Sequence, residues 1–253
     1  MSDYLQPEWS NLRFFCGALP MSRIPGREIL AATDFTATGP SSLPVQFELG
    51  SCRMWGIGLL PLGWSRLFGV QASSLANVIC DGRKHPAFAK FAELAEVLCE
   101  DSCSPEEQCD AIVETMRKLM KPSRDEDKIV TVHRVLVEDK PINVKEFAEL
   151  AGLSIRSLER LCHRYFGFPP KLLMRRQRFV RTLATFMLHP GGKWTEAMDE
   201  EYHDQAQFSR EFREFMTMNP SEYAALEHPV LAAFMEERAR VWGSPAQALD
   251  RPG

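Results

Sequence analysis

The sequence has no long hydrophobic run. Its longest apolar stretches, such as residues 56–64, fall well short of the roughly 18 residues that a membrane-spanning helix needs. The N-terminus has neither a basic start nor an apolar stretch, so no secretory signal is expected. We therefore expect a cytoplasmic protein with no membrane partner.

Short motifs of the common enzyme classes are also missing. The chain contains no G-x-S-x-G, no phosphate-binding loop and no G-x-G-x-x-G, and its six histidines form no H-x-x-x-H pair. No combination of nucleophile, base and orienting group is recognisable before the helical half. We expect a protein that is not an enzyme and needs no cofactor.

The seven cysteines give no disulfide or metal signature. An odd number, scattered through a chain of this length, is typical of reduced thiols. Cys99, Cys103 and Cys109 lie close together in the sequence, but no histidine is near them. Ordinary packing of small apolar side chains is expected there, and no metal.

The chain has no overall excess of positive charge. Its 30 Lys and Arg stand against 34 Asp and Glu, a net charge of -4, which argues against nucleic-acid binding by bulk charge. The distribution is uneven, however. Residues 140–186 hold ten Lys and Arg against three acidic residues, a net +7, and residues 187–228 hold three against nine, a net -6. A basic segment thus lies inside an acidic chain.

The part before residue 122 is predicted to be β-rich. Its β-branched and aromatic residues fall in short segments bounded by Gly, Pro and Ser clusters. A helix capped by Ser104 follows, with an apolar stripe that includes Ile112 and Met116. The charged residues 122–128 then predict a linker. The predicted extended segments are residues 12–19, 28–39, 45–49 and 52–60.

Aromatic residues recur in this β-rich part. Such a set is more often the core of a small β domain than the lining of a ligand pocket, and both interpretations stay open. The residues concerned are Phe14, Phe15, Phe35, Phe47, Trp55 and Trp64.

The helical half contains an internal repeat with an offset of 50 residues. Aligning Ser154 with Asp204 brings similar residue types together, and the second copy has one extra residue in its turn. Two copies of one unit are the strongest organisational signal in the chain. The matched pairs are Leu158 with Phe208, Arg160 with Arg210, Cys162 with Phe212, Tyr165 with Phe215 and Pro170 with Pro220.

Each copy has the pattern of a helix-turn-helix. In the first, Ala148 and Ala151 allow close helix crossing, Gly152 makes a turn and Ser154 caps a second helix. The apolar face of that helix is used for packing, and its outward face carries side chains that suit a DNA major groove. These outward residues are Arg156, Ser157, Glu159, Arg160, His163 and Arg164.

The second copy shows the same division, with Gln205, Gln207 and Arg210 facing outward and aromatic residues facing inward. Between the copies, residues 170–188 predict one helix of about 28 Å, which is comparable to the roughly 34 Å between successive major-groove faces. The alternative for a single hairpin is an amphipathic pair with a solvated polar face. Two further hypotheses are an N-terminal enzyme or carrier with a helical interaction module, and a regulator that acts by heterodimerisation.

Residues 126–228 resemble the DNA-binding domain of the AraC/XylS family of bacterial transcription regulators. The resemblance rests on LAGLSIRSLERLCHRYFGFPPKLLMRRQRF followed by YHDQAQFSREFREFMTMNPSEY. Less specifically, PSSLPVQFELG and GIGLLPLGWSRLFGVQASSLANVICDG resemble the sensor domain of such regulators. Glu201 and Thr217 stand where the family usually has glycine, and we expect Glu201 to be tolerated if the turn keeps an ordinary helical conformation.

The resemblance implies an α+β multidomain regulator with a β-rich, cupin-like sensor or dimerisation domain. We expect boundaries at 1–121, 122–128, 129–228 and 229–253, the last being a C-terminal helix and tail. The implied partners are double-stranded DNA, a small-molecule effector, RNA polymerase and a second copy of the chain. The base-reading positions that the resemblance implies are Arg156, Ser157, Glu159, Arg160, Gln205, Ala206, Gln207 and Arg210. From charge and position we expect phosphate contacts from Lys145, His163, Arg164, Lys171, Arg175 and Arg176 where their faces are exposed. Affinity should concentrate in the first copy.

Overall fold

The chain folds into a β-rich N-terminal part followed by a helical C-terminal part, which confirms the expected α+β class. The computed structural model describes residues 1–139, 143–189 and 191–252. Lys140, which begins the basic segment, and Gly253, which ends the predicted tail, lie outside the described residues.

The β-rich part contains two antiparallel sheets. Strand order is β6-β2-β4-β7 in one sheet and β1-β5-β3 in the other. The predicted segment 28–39 is mostly loop, because only its end pairs with β2 and β7, while Leu30 makes an isolated bridge to Ser22. The strands are β1 Ser2–Leu5, β2 Ser10–Gly17, β3 Met21–Arg23, β4 Phe35–Thr38, β5 Val45–Glu48, β6 Cys52–Leu59 and β7 Ile79–Asp81.

Helices make up most of the remaining described chain. Ser104 caps α3 as predicted: its Oγ accepts a hydrogen bond from the Glu107 N–H, and the Glu107 carboxylate accepts one from the Ser104 N–H. No helix within the described ranges is long and apolar enough to cross a membrane. The helices are α1 Pro61–Leu67, α2 Ala92–Leu98, α3 Pro105–Leu119, α4 Glu126–Arg134, α5 Val144–Leu150, α6 Ile155–Leu161, α7 Pro170–Leu188, α8 Trp194–Ala197, α9 Gln205–Met216, α10 Pro220–Ala224 and α11 Leu231–Trp242.

The four-stranded sheet uses its two faces differently. Because side chains alternate along a strand, Leu12 and Phe14 of β2 enter the hydrophobic core, whereas Asn11, Arg13 and Phe15 point to the opposite face. Strands β4 and β6 follow the same alternation. The second face lies towards the three-stranded sheet, and the two sheets share a cavity there.

The hydrophobic core does not break at residues 122–128. One cluster of buried side chains runs from Trp9 in the β-rich part to Leu173 in α7, and includes the inner faces of α5 and α6. A second cluster joins the rest of α7 to α9 and α11. The proposed domain boundaries therefore stay a prediction, since packing alone does not mark them.

One expectation about the cysteines is wrong. Cys16 at the end of β2 and Cys99 after α2 form a disulfide, with 5.1 Å between their Cα atoms. They are separated by 83 residues, so only the packing of α2 on β2 brings them together. The expected cytoplasmic location loses the support it drew from reduced thiols.

His133 lies at the junction of the two parts and gives the fold a pH dependence. Its ring centroid is 5.8 Å from that of Trp9 and 6.2 Å from that of Phe166, both edge-on. Burial lowers the pKa of His133 to about 4, and the nearby Arg176 charge acts in the same direction. The folded protein therefore keeps this ring neutral at pH values where the unfolded chain protonates it.

We expect the free energy of unfolding to fall by about 3 kcal/mol between pH 6.5 and pH 4 through His133, because its pKa is lowered in the folded state. The stabilisation is present above the unfolded pKa and is lost as the pH falls through this window. Chemical unfolding at a series of pH values measures it. A His133→Phe variant should show a shallower decline, and an equally steep decline would assign the effect to other groups.

Candidate nucleic-acid interface

The first unit, α5 and α6, is organised by capping side chains and one glycine. The Asn143 Oδ1 accepts a hydrogen bond from the Glu146 N–H at 2.9 Å, and the Ser154 Oγ accepts one from the Ser157 N–H at 3.2 Å. Between the helices, Gly152 has a φ of +65°, a left-handed conformation that favours glycine. These contacts set the short turn that the sequence predicted.

The inner face of this unit is buried by packing, as expected. α6 continues through a wider helical turn to Phe166, and Gly167 ends it with a φ of +85°. The buried side chains are Phe147, Ala148, Ala151, Leu158, Leu161, Cys162 and Tyr165.

The opposite face of α6 is open to solvent. Arg156, Glu159 and Arg160 are exposed, and none of them has an ion-pair partner among the described residues. Ser157 is half-buried, and its hydroxyl lies 3.0 Å from that of Ser154. Two arginines and one carboxylate are therefore available on this face for hydrogen bonds to base edges.

The second unit, α8 and α9, begins its outer helix in a similar way. The Asp204 Oδ1 accepts a hydrogen bond from the Gln207 N–H at 2.6 Å, and the Gln207 Oε1 accepts one from the His203 N–H at 3.1 Å. Gln207 is thus partly engaged, and its side-chain donors remain for a base. The other three predicted readers, Gln205, Ala206 and Arg210, are exposed.

The connection between the helices of the second unit is longer than predicted: the sequence indicated only one extra residue relative to the first unit. α8 ends at Ala197 and α9 begins at Gln205, so residues 198–204 connect them, whereas residues 151–154 suffice in the first unit. Glu201 is not among the described non-glycine residues with positive φ, so its side chain is tolerated as expected.

Four predicted phosphate contacts are exposed: Lys145, His163, Arg164 and Lys171. Lys145 Nζ lies 3.8 Å from the Glu149 carboxylate, an exposed pair that contributes little and is easily exchanged for a phosphate. The Arg164 guanidinium lies 5.3 Å from the centre of the Tyr165 ring. These residues place positive charge beside the outward face of α6.

The prediction for Arg176 is wrong in this structure. Its side chain is completely buried, because α7 packs on the β-rich part along this face. The guanidinium stacks on Trp9 at 3.8 Å and donates a hydrogen bond to the Ser41 carbonyl oxygen at 3.1 Å. Burial lowers the pKa of Arg176 to about 9. Arg176 joins the two parts of the protein and cannot reach DNA.

Arg175 is also engaged within the protein. Its Nε lies 3.0 Å from Glu211 Oε1 and its Nη1 lies 3.1 Å from Glu214 Oε1. Its side chain keeps only 28% of its exposure. These ion pairs hold α7 against α9, so Arg175 is not a free phosphate contact in this conformation.

The opposite charges of the two segments meet inside the protein. Arg178 lies 2.5 Å from Glu211, and Arg181 lies 2.6 Å from Asp199 and 2.8 Å from Glu201. Part of the +7 of the first segment is therefore neutralised by the -6 of the second. The positive charge that stays available is concentrated on α5, α6 and the start of α7.

Residues 147–225, which begin within α5 and extend through α10, match the family described as a helix-turn-helix domain. Residues 147–225 are a helix-turn-helix domain of the AraC type. This confirms the resemblance found in the sequence.

The chain is also similar to solved structures of ToxT from Vibrio cholerae. One has 11% sequence identity and a TM-score of 0.48, covering 88% of this chain and 93% of that one. Another, ToxT from Vibrio cholerae O395 bound to (E)-4-(8-methylnaphthalen-1-yl)but-3-enoic acid, has 12% identity and a TM-score of 0.45, covering 88% and 97%. No curated protein sequence matches the chain closely enough to count as a relative.

The two units of the helix-turn-helix domain end their outer helices in the same left-handed conformation, but with different residues. Gly167 ends the first in a left-handed conformation, and Thr217, 50 residues later, ends the second with a φ of +60°. A β-branched residue is strained in this conformation, whereas glycine is not.

We expect Thr217→Gly to raise the free energy of unfolding by about 1 kcal/mol, because it removes this strain at a modest entropic cost. Thermal and urea unfolding check the change. The matched control is Gly167→Ala, which should be destabilising, since a Cβ at Gly167 would lie 2.9 Å from the Pro40 side chain. A destabilised Thr217→Gly protein would contradict the argument.

A cavity of about 110 Å³ lies between the two sheets, away from the helix-turn-helix domain's outward faces. Phe14, Phe35 and Trp64 belong to the core and Trp55 packs against it, whereas Phe15 and Phe47 line the cavity. The core interpretation thus holds for most of the set, and a ligand pocket stays a prediction. The sequence identified no effector pocket, because its walls come from distant parts of the chain.

The C-terminal segment, α11 and residues 243–250, forms one wall of this cavity. The Asp3 carboxylate accepts hydrogen bonds from the N–H groups of Val230 and Leu231 at the start of α11. Further along, Gln177 Nε2 of α7 donates to the Ala248 carbonyl oxygen at 2.6 Å. The same segment therefore contacts the sheets, the cavity and the linking helix. Its cavity-lining residues include Phe234, Arg238 and Gln247.

Proposed function

We propose that this protein is a sequence-specific DNA-binding transcription regulator in which α6 reads base edges. The observation that carries the proposal is the outward face of α6. Arg156, Glu159 and Arg160 stay exposed there after the inner face has been buried. Arginine can donate two hydrogen bonds to a guanine edge, and glutamate can accept one from cytosine.

Positive charge around α6 supports the same role. Lys145, Arg164 and Lys171 are exposed and supply phosphate contacts that position the helix in the groove. The second unit offers Gln205 and Arg210 for base reading, but its acidic residues give it little attraction for phosphate. Most of the affinity is therefore assigned to the first unit.

Effector response belongs to the cavity between the sheets. The C-terminal segment lines the cavity and hydrogen-bonds to α7, so a ligand there contacts the same element that supports the linking helix. A ligand that binds the cavity more tightly in the DNA-binding arrangement of the protein than in other arrangements raises DNA affinity by that difference in binding free energy. The β-rich part is also assigned a role in dimerisation, and RNA polymerase is the expected partner on DNA. Action on DNA places the protein in the cytoplasm, and no catalytic step is part of the proposal.

The test is recovery of genomic DNA fragments by the purified full-length protein, followed by gel shifts on the enriched sequence. We expect one enriched sequence, with a log-log salt slope of roughly -3 to -5 for three to five phosphate contacts. Random fragments of equal length are the control. Equal recovery of random and enriched fragments, or no recovery, would reject DNA reading.

A further inference from the structure

The cavity between the sheets has the size for a compact ligand only. Its volume of about 110 Å³ is of the same order as the roughly 150 Å³ apolar cavity that can hold one benzene molecule. Gly56 of β6 lies in its lining, and a Cβ at this position would meet nothing within 4 Å. The space beside Gly56 is therefore open rather than filled by a neighbouring side chain.

The charged side chains of the lining are already neutralised by other protein groups. Arg13 pairs with Glu8, and both side chains are about nine-tenths buried. Arg238 Nη2 lies 2.8 Å and 2.6 Å from the two carboxylate oxygens of Asp250. A charged ligand would enter this cavity without an unpaired counter-charge to meet it, and would lose its hydration.

Three lining side chains nevertheless have buried polar atoms without a hydrogen-bond partner among the described residues. They are Gln6 Oε1, Thr36 Oγ1 and Arg238 Nε. Gln6 and Thr36 are 6% and 2% exposed, so solvent does not reach them freely. In the same lining the Asn11 Nδ2 donates to Gln247 Oε1 at 3.0 Å, and the Gln247 Nε2 donates to the Ser10 carbonyl oxygen at 3.2 Å.

The three atoms differ in what they can bind. An amide oxygen accepts, a guanidinium N–H donates and a hydroxyl does either. Buried polar groups are normally hydrogen-bonded, and leaving one unpaired is costly. A polar group that donates to the Gln6 amide oxygen and accepts from both the Arg238 Nε–H and the Thr36 hydroxyl would complete all three. The apolar body of the same ligand would contact Phe15, Phe47 and Phe234.

We propose that the cavity binds a small, uncharged, mainly apolar molecule that carries a hydrogen-bond donor and acceptor, such as an aromatic amide or alcohol. This rests on the proposed effector role of the same cavity and adds the class of ligand. Thr36 of the central strand β4 and Arg238 of α11 bind the polar group of this ligand, although they lie in opposite parts of the chain.

The experiment compares three probes of one size on the full-length protein: benzamide, benzoate and toluene. Calorimetric or ligand-observed NMR titration gives each dissociation constant. We expect benzamide to bind about ten-fold more tightly than the other two, since one well-placed hydrogen bond to a buried group is worth about that factor. Tighter binding of benzoate would overturn the proposal, and so would equal binding of toluene.

Two variants locate the binding. Thr36→Val removes the hydroxyl at nearly constant volume and should weaken benzamide about five-fold while leaving toluene unchanged. Gly56→Leu should abolish binding of all three probes by filling the cavity, and unfolding curves will show that the variant folds. Unchanged benzamide affinity in both variants would place the ligand elsewhere and overturn the proposal.

DNA binding is followed separately in the same preparations. If all three probes fail to bind at millimolar concentration while the enriched DNA still shifts, the ligand proposal is overturned and the DNA-binding function stands. If no DNA sequence is enriched but benzamide binds as expected, the DNA-binding function is overturned and the ligand proposal stands.

Discussion

Replacing Arg176 with alanine is expected to lower the free energy of unfolding by about 3 kcal/mol, the range seen for large buried side chains that leave a cavity. The guanidinium fills the space between α7 and the β-rich part, stacks on Trp9 and donates to the Ser41 carbonyl oxygen. Urea unfolding of the full chain, followed by tryptophan fluorescence, measures the loss.

Arg176→Met is the matched variant, because it keeps most of the volume and removes the buried charge. It should cost less than half as much as alanine, since an uncompensated buried charge is itself unfavourable. Equal losses in both variants would assign the contribution to hydrogen bonds instead of volume. A stable Arg176→Ala protein with weaker DNA binding and a shallower salt slope would show that Arg176 contacts phosphate after all.

Replacing Arg160 with alanine should weaken binding to the enriched DNA by about 1 to 3 kcal/mol, roughly 5- to 150-fold, and relax one base position. Arg160 is exposed on α6, so its loss should leave folding nearly unchanged. Gel-shift titration against DNA variants of the site measures both the affinity and the relaxed position.

The internal repeat supplies a control at the corresponding residue of α9. Arg210 lies 50 positions after Arg160 and is equally exposed, but acidic residues surround it. We expect Arg210→Ala to have the smaller effect. Equal affinity of the Arg160→Ala and parent proteins would remove Arg160 from the base-reading set, and a larger loss from Arg210→Ala would move the main contact to the second unit.

Local patterns in the sequence were sufficient to predict the helices and turns of the helix-turn-helix domain. The apolar stripe from Leu158 to Tyr165, its copy from Phe208 to Phe215, and the caps at Ser154 and Asp204 all depend on neighbours within a few residues. Helix periodicity and capping express such short-range chemistry directly. The outward residues of α6 and α9 could be predicted because the apolar, inward face of each helix had been identified.

Helix periodicity and capping could not predict contacts between distant segments of the chain. Arg175 and Arg176 lie in a helix that is buried on more than one side, so periodicity could not tell which cations face acids or a tryptophan. Asn11 and Gln247 meet across 236 residues, and Cys16 and Cys99 across 83. No periodic signal links such pairs, and the cavity that Asn11 and Gln247 line was missed for that reason.

The cluster of buried side chains from Trp9 to Leu173 is uninterrupted, so the protein cannot be divided into two parts without exposing core residues. A chimera that joins residues 129–228 to a foreign N-terminal domain would expose His133 of α4 and Phe166 after α6, which Trp9 and its neighbours now cover. Such a fragment would need a substitute partner to stay soluble. We therefore expect DNA specificity to be transferred between proteins more readily by substitutions on the outward face of α6 than by exchange of whole parts.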